Sequence, residues 1–104
     1  MNEILNVPFE YYVSLVSDWA KARNLIQGSS PKDQVLKLVQ EVGELSDNVC
    51  KGRNPSDDIG DCLVVLLILA EQLDLNPVDC LAEAYYEIKD RKGSMRDGIF
   101  IKEE

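Results

Sequence analysis

Four acidic residues form two pairs with the same internal spacing. Glu41 is followed three residues later by Glu44, and Asp58 is followed three residues later by Asp61. Residues three apart lie on the same side of an α-helix, so each pair can present its two carboxylates in one direction. Carboxylate oxygens suit Mg²⁺ or Mn²⁺, and the chain has no histidine for a zinc or di-iron site. The spacing therefore indicates a divalent cation site and metal-assisted phosphate chemistry.

The acid pairs fall on the second and third of four predicted helices. The first helix is predicted from Pro8 to about Asn24. Ser30-Pro31-Lys32-Asp33 combines an N-cap, a proline at the first helical position and a capping acid, and it predicts a second helix that continues to about Cys50.

Capping residues also predict a third and a fourth helix. Asn54 or Ser56 is expected to cap a third helix that runs to about Leu73. Asn76-Pro77 opens a fourth helix that is predicted to end near residues 92–93, and residues 98–101 could form a short extended arm. The predicted fold is all-α, a four-helix bundle with a short extended C-terminal arm, in a single domain over residues 1–104.

The apolar pattern predicts which helix faces are buried. The second helix has an apolar stripe that is expected to face the core, consisting of Val35, Leu38, Val39, Val42, Leu45 and Val49. The fourth helix is expected to turn Val78, Leu81, Ala82, Tyr85 and Ile88 inward. Residues 62–70 are apolar on every side, so the third helix should lie at the centre of the bundle and need cover from a second chain. We therefore expect a homo-oligomer.

The acid pairs should meet if the second and third helices form an antiparallel hairpin about residues 52–53. Glu44 would then lie level with Asp61, and Glu41 and Asp58 would lie within about one turn of that level. Four carboxylates at one depth repel each other unless a cation neutralises them. Gly43 and Gly60 are expected to let the two helices approach closely. The alternative is that each acid pair is a solvated surface, with Asp58 favoured by its place in a first helical turn.

Composition limits the partners. The 104 residues include 11 basic and 19 acidic ones, for a net charge of −8. Such a surface repels nucleic acid polymers and anionic lipid. No apolar run reaches the length of about 20 residues that crosses a bilayer, and residues 1–12 lack the pattern of a signal peptide. Three cysteines without a C-x-x-C spacing fit a reducing cytoplasm.

The two acid motifs resemble those of a known family. Gln40-Glu41-Val42-Gly43-Glu44-Leu45, followed by Asp58-Ile59-Gly60-Asp61, is similar to the MazG-like nucleotide pyrophosphohydrolases of the all-α NTP pyrophosphatase superfamily. Their pattern is E-E-x-x-E and then E-x-x-D. This chain departs from it twice, since Gln40 stands at the first glutamate and Asp58 replaces a longer glutamate.

The resemblance implies an activity and a set of residue roles. Such enzymes hydrolyse nucleoside triphosphates, often deoxy or noncanonical ones, to the monophosphate and pyrophosphate, and work as dimers or dimers of dimers. Carried over by position, Glu41, Glu44, Asp58 and Asp61 would hold Mg²⁺, with Mn²⁺ as a substitute. Glu41 or Glu44 would accept the proton of the attacking water.

Further substrate contacts can be suggested from charge and aromatic character. Lys37 lies one turn before Glu41, and Arg91 and Lys92 lie near the end of the last predicted helix, so each could contact a phosphate. Trp19 could stack on a base. Each also has a structural alternative: exposed solubilising charge for the three cations, and core packing for the tryptophan.

A second function from another class fits part of the sequence. A catalytically silent, acidic helical module that binds a protein partner would explain the two departures from the family motif. The four retained acids favour the hydrolase instead, because they serve no obvious purpose on a partner-binding surface.

Overall fold

The computed structural model describes residues 6–103, which are mostly helical. Within that range the helices are α1 (Phe9–Ala22), α2 (Leu25–Gly28), α3 (Pro31–Cys50), α4 (Ser56–Gln72) and α5 (Pro77–Ile88), and the strands are β1 (Gly93–Arg96) and β2 (Ile99–Lys102). The predicted domain includes residues 1–5 and 104, and the segment without a signal-peptide pattern includes residues 1–5. These six residues lie outside the range that the structure describes.

Side-chain caps fix the starts of α3 and α5. Ser30 Oγ accepts a hydrogen bond from the Asp33 N–H at 3.2 Å, and the Ser30 N–H donates to Asp33 Oδ2 at 2.9 Å, so the predicted capping box is confirmed. Asn76 Oδ1 accepts from the Val78 N–H at 2.8 Å at the start of α5. Both predicted helix starts are therefore correct. In each case a side-chain oxygen accepts a hydrogen bond from an N–H of the first turn, which has no partner within the helix.

The central element is α4, as the apolar run of residues 62–70 predicts. It packs along α3 and also contacts α1, α2 and α5. Of the four apolar residues that are buried within residues 6–103, three belong to it, namely Val65, Ile68 and Ala70, and the fourth is Ala20 of α1. Over residues 6–103, every helix is too short or too polar to cross a membrane.

A short helix that the sequence pattern does not predict joins α1 to α3. Asn24 adopts a left-handed conformation (φ 58°), and α2 follows as a single turn. Gln72 at the end of α4 holds this turn in place, since its Nε2 donates to the carbonyl oxygens of Ile26 at 3.1 Å and Ser29 at 3.0 Å. The segment between α1 and α3 is thus an ordered part of the helical body.

Helix α5 leaves the body of the chain. Of the residues predicted to turn inward, Ala82 alone is half-buried, and Leu81 is 71% exposed. The helix also ends at Ile88, earlier than residues 92–93. The radius of gyration is 16.3 Å, against about 13 Å for a compact domain of this length. The helical class is confirmed, whereas a closed four-helix bundle stays a prediction.

The predicted C-terminal arm is an antiparallel β-hairpin. Met95 pairs with Phe100 and Arg96 with Ile99. The connecting residues Asp97 (φ 52°) and Gly98 (φ 80°) are both left-handed, as a tight two-residue hairpin turn requires. The extended arm is therefore longer than predicted, because residues 93–96 pair with it.

Candidate functional site: the acid seam between two helices

Helices α3 and α4 run antiparallel and bring the two acid motifs together. Their connection is residues 51–55, in which Gly52 takes a left-handed conformation (φ 70°). Asn48 Nδ2 donates to Asp58 Oδ2 at 2.8 Å, so these two residues lie level. One helical turn further along each helix, Glu44 comes level with Asp61, as the spacing predicts. We call Glu41, Glu44, Asp58 and Asp61 the acid seam.

The buried side of α3 differs from the predicted one. The residues that turn toward α4 recur at helical spacing and are Gln34, Leu38, Glu41, Leu45 and Asn48. Most of the predicted core stripe faces outward instead, with Val39 65% exposed. We call Val35, Leu36, Val39, Val42 and Val49 the outer apolar face of α3. The prediction was wrong because it assumed that the more apolar side of the helix must contact its own chain.

Glu41 is the most deeply placed acid of the seam. It is 7% exposed, and its Oε1 lies 3.1 Å from Lys37 Nζ. Its other oxygen, Oε2, is buried and has no hydrogen-bond partner among residues 6–103. An unpaired buried carboxylate oxygen is unfavourable, and a bound cation would satisfy it.

Crowding of negative charge changes the acidity of the neighbouring groups. The negative charge of Glu41 is the largest cause that raises the pKa of Glu44. Desolvation raises the pKa of Asp61, followed by the charges of Asp57, Glu41 and Asp58. Desolvation also raises the pKa of the adjacent Cys62 thiol, and the seam carboxylates add to the effect. The seam is therefore a place where adding positive charge is favourable.

The seam gathers oxygen ligands without forming a finished cage. Among residues 6–103, no group of three or more acidic or cysteine side chains has an arrangement that could hold a metal ion. A cation would require the exposed Glu44 and the half-buried Asp61 to turn toward Glu41 and Asp58. The donor chemistry, the unpaired Glu41 oxygen and the raised pKa values all fit Mg²⁺ or Mn²⁺.

The two glycines beside the seam do not serve the predicted purpose. A Cβ added at Gly43 or at Gly60 would meet no atom within 4 Å beyond its own helical turns, so neither glycine is needed for α3 to approach α4. At both positions the added Cβ would point into open space. The expectation of close helix approach at these positions is wrong within one chain.

The structure brings one of the predicted substrate contacts to the seam. Lys37 lies there through its ion pair with Glu41. Trp19 is 45% exposed, and the Arg23 guanidinium lies 4.7 Å from the centre of its ring. The tryptophan is therefore at the surface of α1, outside the core stripe on which its spacing places it.

Arg91 and Lys92 lie elsewhere. They line a separate cleft of about 430 Å³ together with Glu87, Asp90 and Glu103. None of the seam carboxylates lines that cleft. The structure thus does not join these two cations to the acid seam within one chain.

Asn48 is a seam residue for which the sequence suggested no role. Its amide holds Asp58, which is 9% exposed, in a fixed orientation. The signal was its position seven residues after Glu41, two turns along the same side of α3. Such an amide positions a carboxylate without adding negative charge.

Comparison with known proteins relates part of the chain to an uncharacterized phage protein. Part of the chain is similar to an uncharacterized 18.2 kDa protein from the rep-hol intergenic region of Haemophilus phage HP1, with 43% identity over 70 residues. The matched stretch is 65% of this chain and 41% of the phage protein, so the chain covers less than half of that relative. No protein-family profile matches the chain, and no solved structure matches it significantly. Function must therefore be argued from the site.

Proposed function

We propose that the protein is a Mg²⁺-dependent pyrophosphohydrolase of the MazG-like kind, acting on deoxy or noncanonical nucleoside triphosphates. The observation that carries the proposal is the acid seam, in which Glu41 of α3 has a buried oxygen without a hydrogen-bond partner among residues 6–103 and its charge acts on Asp61 of the facing helix α4. Neither pair would need to meet the other if the acids served only to solvate the surface. Their convergence favours a site for a cation and its phosphate ligand.

Each seam residue has a role in this proposal. Glu41, Glu44, Asp58 and Asp61 would hold Mg²⁺ or Mn²⁺, and the ion would supply neutralisation of phosphate charge and a more acidic water. Lys37, 3.1 Å from Glu41, is near enough to contact a phosphate. Glu41 or Glu44 accepts the water proton as the water oxygen attacks the α-phosphorus. The bond from that phosphorus to the bridging oxygen breaks, and pyrophosphate leaves.

The proposed enzyme works as a homodimer or a dimer of dimers. Leu36 and Val39 on the outer apolar face are 69% and 65% exposed, and Leu81 of α5 is 71% exposed. Large exposed apolar surfaces are typical of protein interfaces. A second copy would cover these helices and complete a four-helix arrangement. The proposed setting is the cytoplasm, with no nucleic acid polymer and no membrane as a partner.

The same exposed surfaces favour the second candidate, a silent acidic interaction module. In that case the outer apolar face and α5 bind another protein, and the seam has no catalytic duty. The two candidates differ in what Glu41→Gln does. It removes turnover from the enzyme, whereas it leaves a partner-binding surface on the opposite side of α3 intact.

The experiment that tests the proposal is a metal-dependent screen of canonical and modified nucleoside triphosphates with product identification. We expect pyrophosphate and a monophosphate with Mg²⁺, and no turnover with EDTA. Glu41→Gln should be inactive, and the matched control is Asp47→Asn, an exposed acid on the same helix that pairs with Lys51. Gln40→Glu, which restores the family residue at an exposed position, should stay active. Release of orthophosphate would contradict the mechanism, and no turnover on any substrate would favour the interaction module.

A further inference from the structure

The β-hairpin near the end of the chain has apolar side chains on both of its faces. Met95 and Phe100 share one face, and Ile99 and Ile101 share the other. All residues of both strands are exposed, and neither strand packs extensively on a helix in the described part of the chain. A lone two-stranded hairpin is marginally stable in water, so this one would gain stability from a further strand.

The register of the hairpin leaves one set of backbone groups on β2 free. In a hairpin with a two-residue turn, the residues that flank the turn exchange hydrogen bonds, and such pairs then alternate with pairs that do not. The Glu103 N–H donates to the Lys92 carbonyl oxygen at 2.8 Å, which continues the alternation. The N–H and C=O groups of Phe100 and Lys102 therefore point away from β1.

The free edge of β2 is open to another strand. Within residues 6–103, no backbone hydrogen bond from a turn or loop reaches Phe100 or Lys102. The Phe100 ring leaves the edge clear because it folds back over β1, where a Cβ added at Gly93 would lie 2.5 Å from a ring atom. Proline, a bulge or a central charge protects such an edge in many proteins, and β2 has none of these.

The charge of the hairpin permits contact between two copies of this acidic chain. Residues 1–88 carry six basic and 15 acidic residues, for a net charge of −9. Residues 93–103 carry two of each, Arg96 and Lys102 against Asp97 and Glu103, and have no net charge. Repulsion between two copies is therefore weaker at the hairpin than over the helices.

One two-fold register fits the free backbone groups best. If Ile101 lies opposite Ile101 of a second copy, Phe100 of each chain lies opposite Lys102 of the other, and each of these pairs exchanges two hydrogen bonds. An axis at Lys102 would instead place two lysines opposite each other. An axis at Phe100 would limit the overlap to about three residues, because Gly98 is left-handed (φ 80°) and ends the strand.

The register at Ile101 also brings opposite charges to one face. It places Glu103 of the second copy opposite Ile99, and Arg96 pairs with Ile99 from the other side. Arg96 forms no ion pair with a carboxylate among residues 6–103. The second copy thus supplies a carboxylate on the face of this unpaired cation, and no like charges lie directly opposite each other.

We propose that β2 pairs antiparallel with β2 of a second copy about a two-fold axis at Ile101, so that two hairpins form one four-stranded sheet. Two strands of this length bury less than the about 1,000 Å² expected of a stable interface that acts alone. The sheet therefore adds to the contact through the outer apolar face of α3. Because the two surfaces belong to different elements, hairpins can join dimers in pairs; this last step rests on the homodimer proposed above, whereas the strand pairing does not.

Cysteine substitutions test the pairing and its register. In a chain without native thiols (Cys50→Ser, Cys62→Ala, Cys80→Ser), Ile101→Cys places two thiols in a pair without hydrogen bonds, where about 4.5 Å separates the Cα atoms. That distance allows a disulfide. The matched control is Ile99→Cys, whose two copies lie about 13 Å apart along the strands. In glutathione buffer, we expect a disulfide-linked dimer from Ile101→Cys and not from Ile99→Cys. No dimer from Ile101→Cys, or equal amounts from both, would overturn the proposal.

A proline at the free edge tests the backbone hydrogen bonds. Lys102→Pro removes an outward N–H and leaves the hydrogen bonds of the hairpin intact, whereas the matched Lys102→Gln removes the charge and keeps the N–H. In the Ile101→Cys chain, the proline should lower the equilibrium yield of disulfide about tenfold relative to the glutamine, because each dimer loses two hydrogen bonds. Equal yields would overturn the pairing. Neither test measures turnover, so each decides the pairing even if the proposed activity is absent.

Discussion

The two sides of α3 have opposite contents. The side that meets α4 buries Gln34 and Glu41, whereas the outer apolar face exposes Val39 and its neighbours to solvent. Burial of apolar area favours folding, and burial of charge opposes it. Within its own chain, α3 buries charge and exposes apolar residues. Interactions with other molecules would offset both of these costs. We infer that the inner side is arranged for a ligand and the outer side for a second copy.

The largest expected effect comes from removing charge on the inner side. Glu41→Gln, Glu44→Gln and Asp61→Asn keep side-chain size, and each should lower turnover about 100-fold or more, because a metal ligand supplies several kcal/mol of transition-state stabilisation. The melting temperature should stay the same or rise as repulsion is relieved. Steady-state rates and thermal melts of each variant, with Asp47→Asn as control, measure both. Near-normal rates for Glu41→Gln and Asp61→Asn would show that the inner acids are not a catalytic site.

A charge introduced on the outer apolar face of α3 should weaken association between chains. Val39→Glu places a carboxylate in the proposed interface, and a central interface residue is worth about 2 kcal/mol, so the dimer dissociation constant should rise about 30-fold. Ser46→Glu introduces the same side chain at another exposed position of α3 and serves as the control. Sedimentation velocity over a range of concentrations measures the shift. Equal association of both variants would place the interface elsewhere.

The pH dependence of stability distinguishes the inner side of α3 from the rest of the molecule. Neighbouring negative charge and desolvation raise the pKa values of Glu44 and Asp61 in the folded state. The folded protein then binds protons more readily than the unfolded one, so the free energy of unfolding falls as pH rises from the ordinary carboxylate range through the raised values. Asp33 has the opposite effect on the free energy of unfolding, and at lower pH, because hydrogen bonds from Ser30 lower its pKa.

The measurement is a set of melts from about pH 4 to pH 8 with and without Mg²⁺. Without the cation, stability should decline toward neutral pH. With it, the decline should flatten, because a cation stabilises the ionised seam by mass action. Glu44→Gln should flatten the curve without any metal. An identical decline in this variant would assign the effect to general surface charge.

The smallest expected effect is on stability at Gly60. Gly60→Ala should stabilise α4 by about 0.5–1 kcal/mol, because alanine favours a helix and the added Cβ meets open space. If a substrate or a second copy occupies this space, turnover or association should fall even so. Chemical denaturation and rate measurements on the same variant distinguish the two. A variant that is more stable and fully active would show that the space is unused.

Local chemistry made part of this architecture predictable. The capping box at Ser30 and the N-cap at Asn76 are short-range signals, and the level of Glu44 with Asp61 follows from helix geometry and a short turn. The orientation of α3 was not predictable, because both of its sides carry apolar residues and the choice depends on which partner helix each side meets. The exposure of Leu81 was missed for the same reason. The helical turn α2 depends on Gln72, which lies more than 40 residues away along the chain.

The short connection between α3 and α4 has a consequence for the order of folding. Only residues 51–55 separate the helices that build the seam, and contacts between neighbours along the chain form fast because little loop entropy is lost. The four carboxylates are therefore forced together early, before a second molecule can arrive by diffusion. A divalent cation that screens them at that moment should speed refolding of the monomer and not merely stabilise its product.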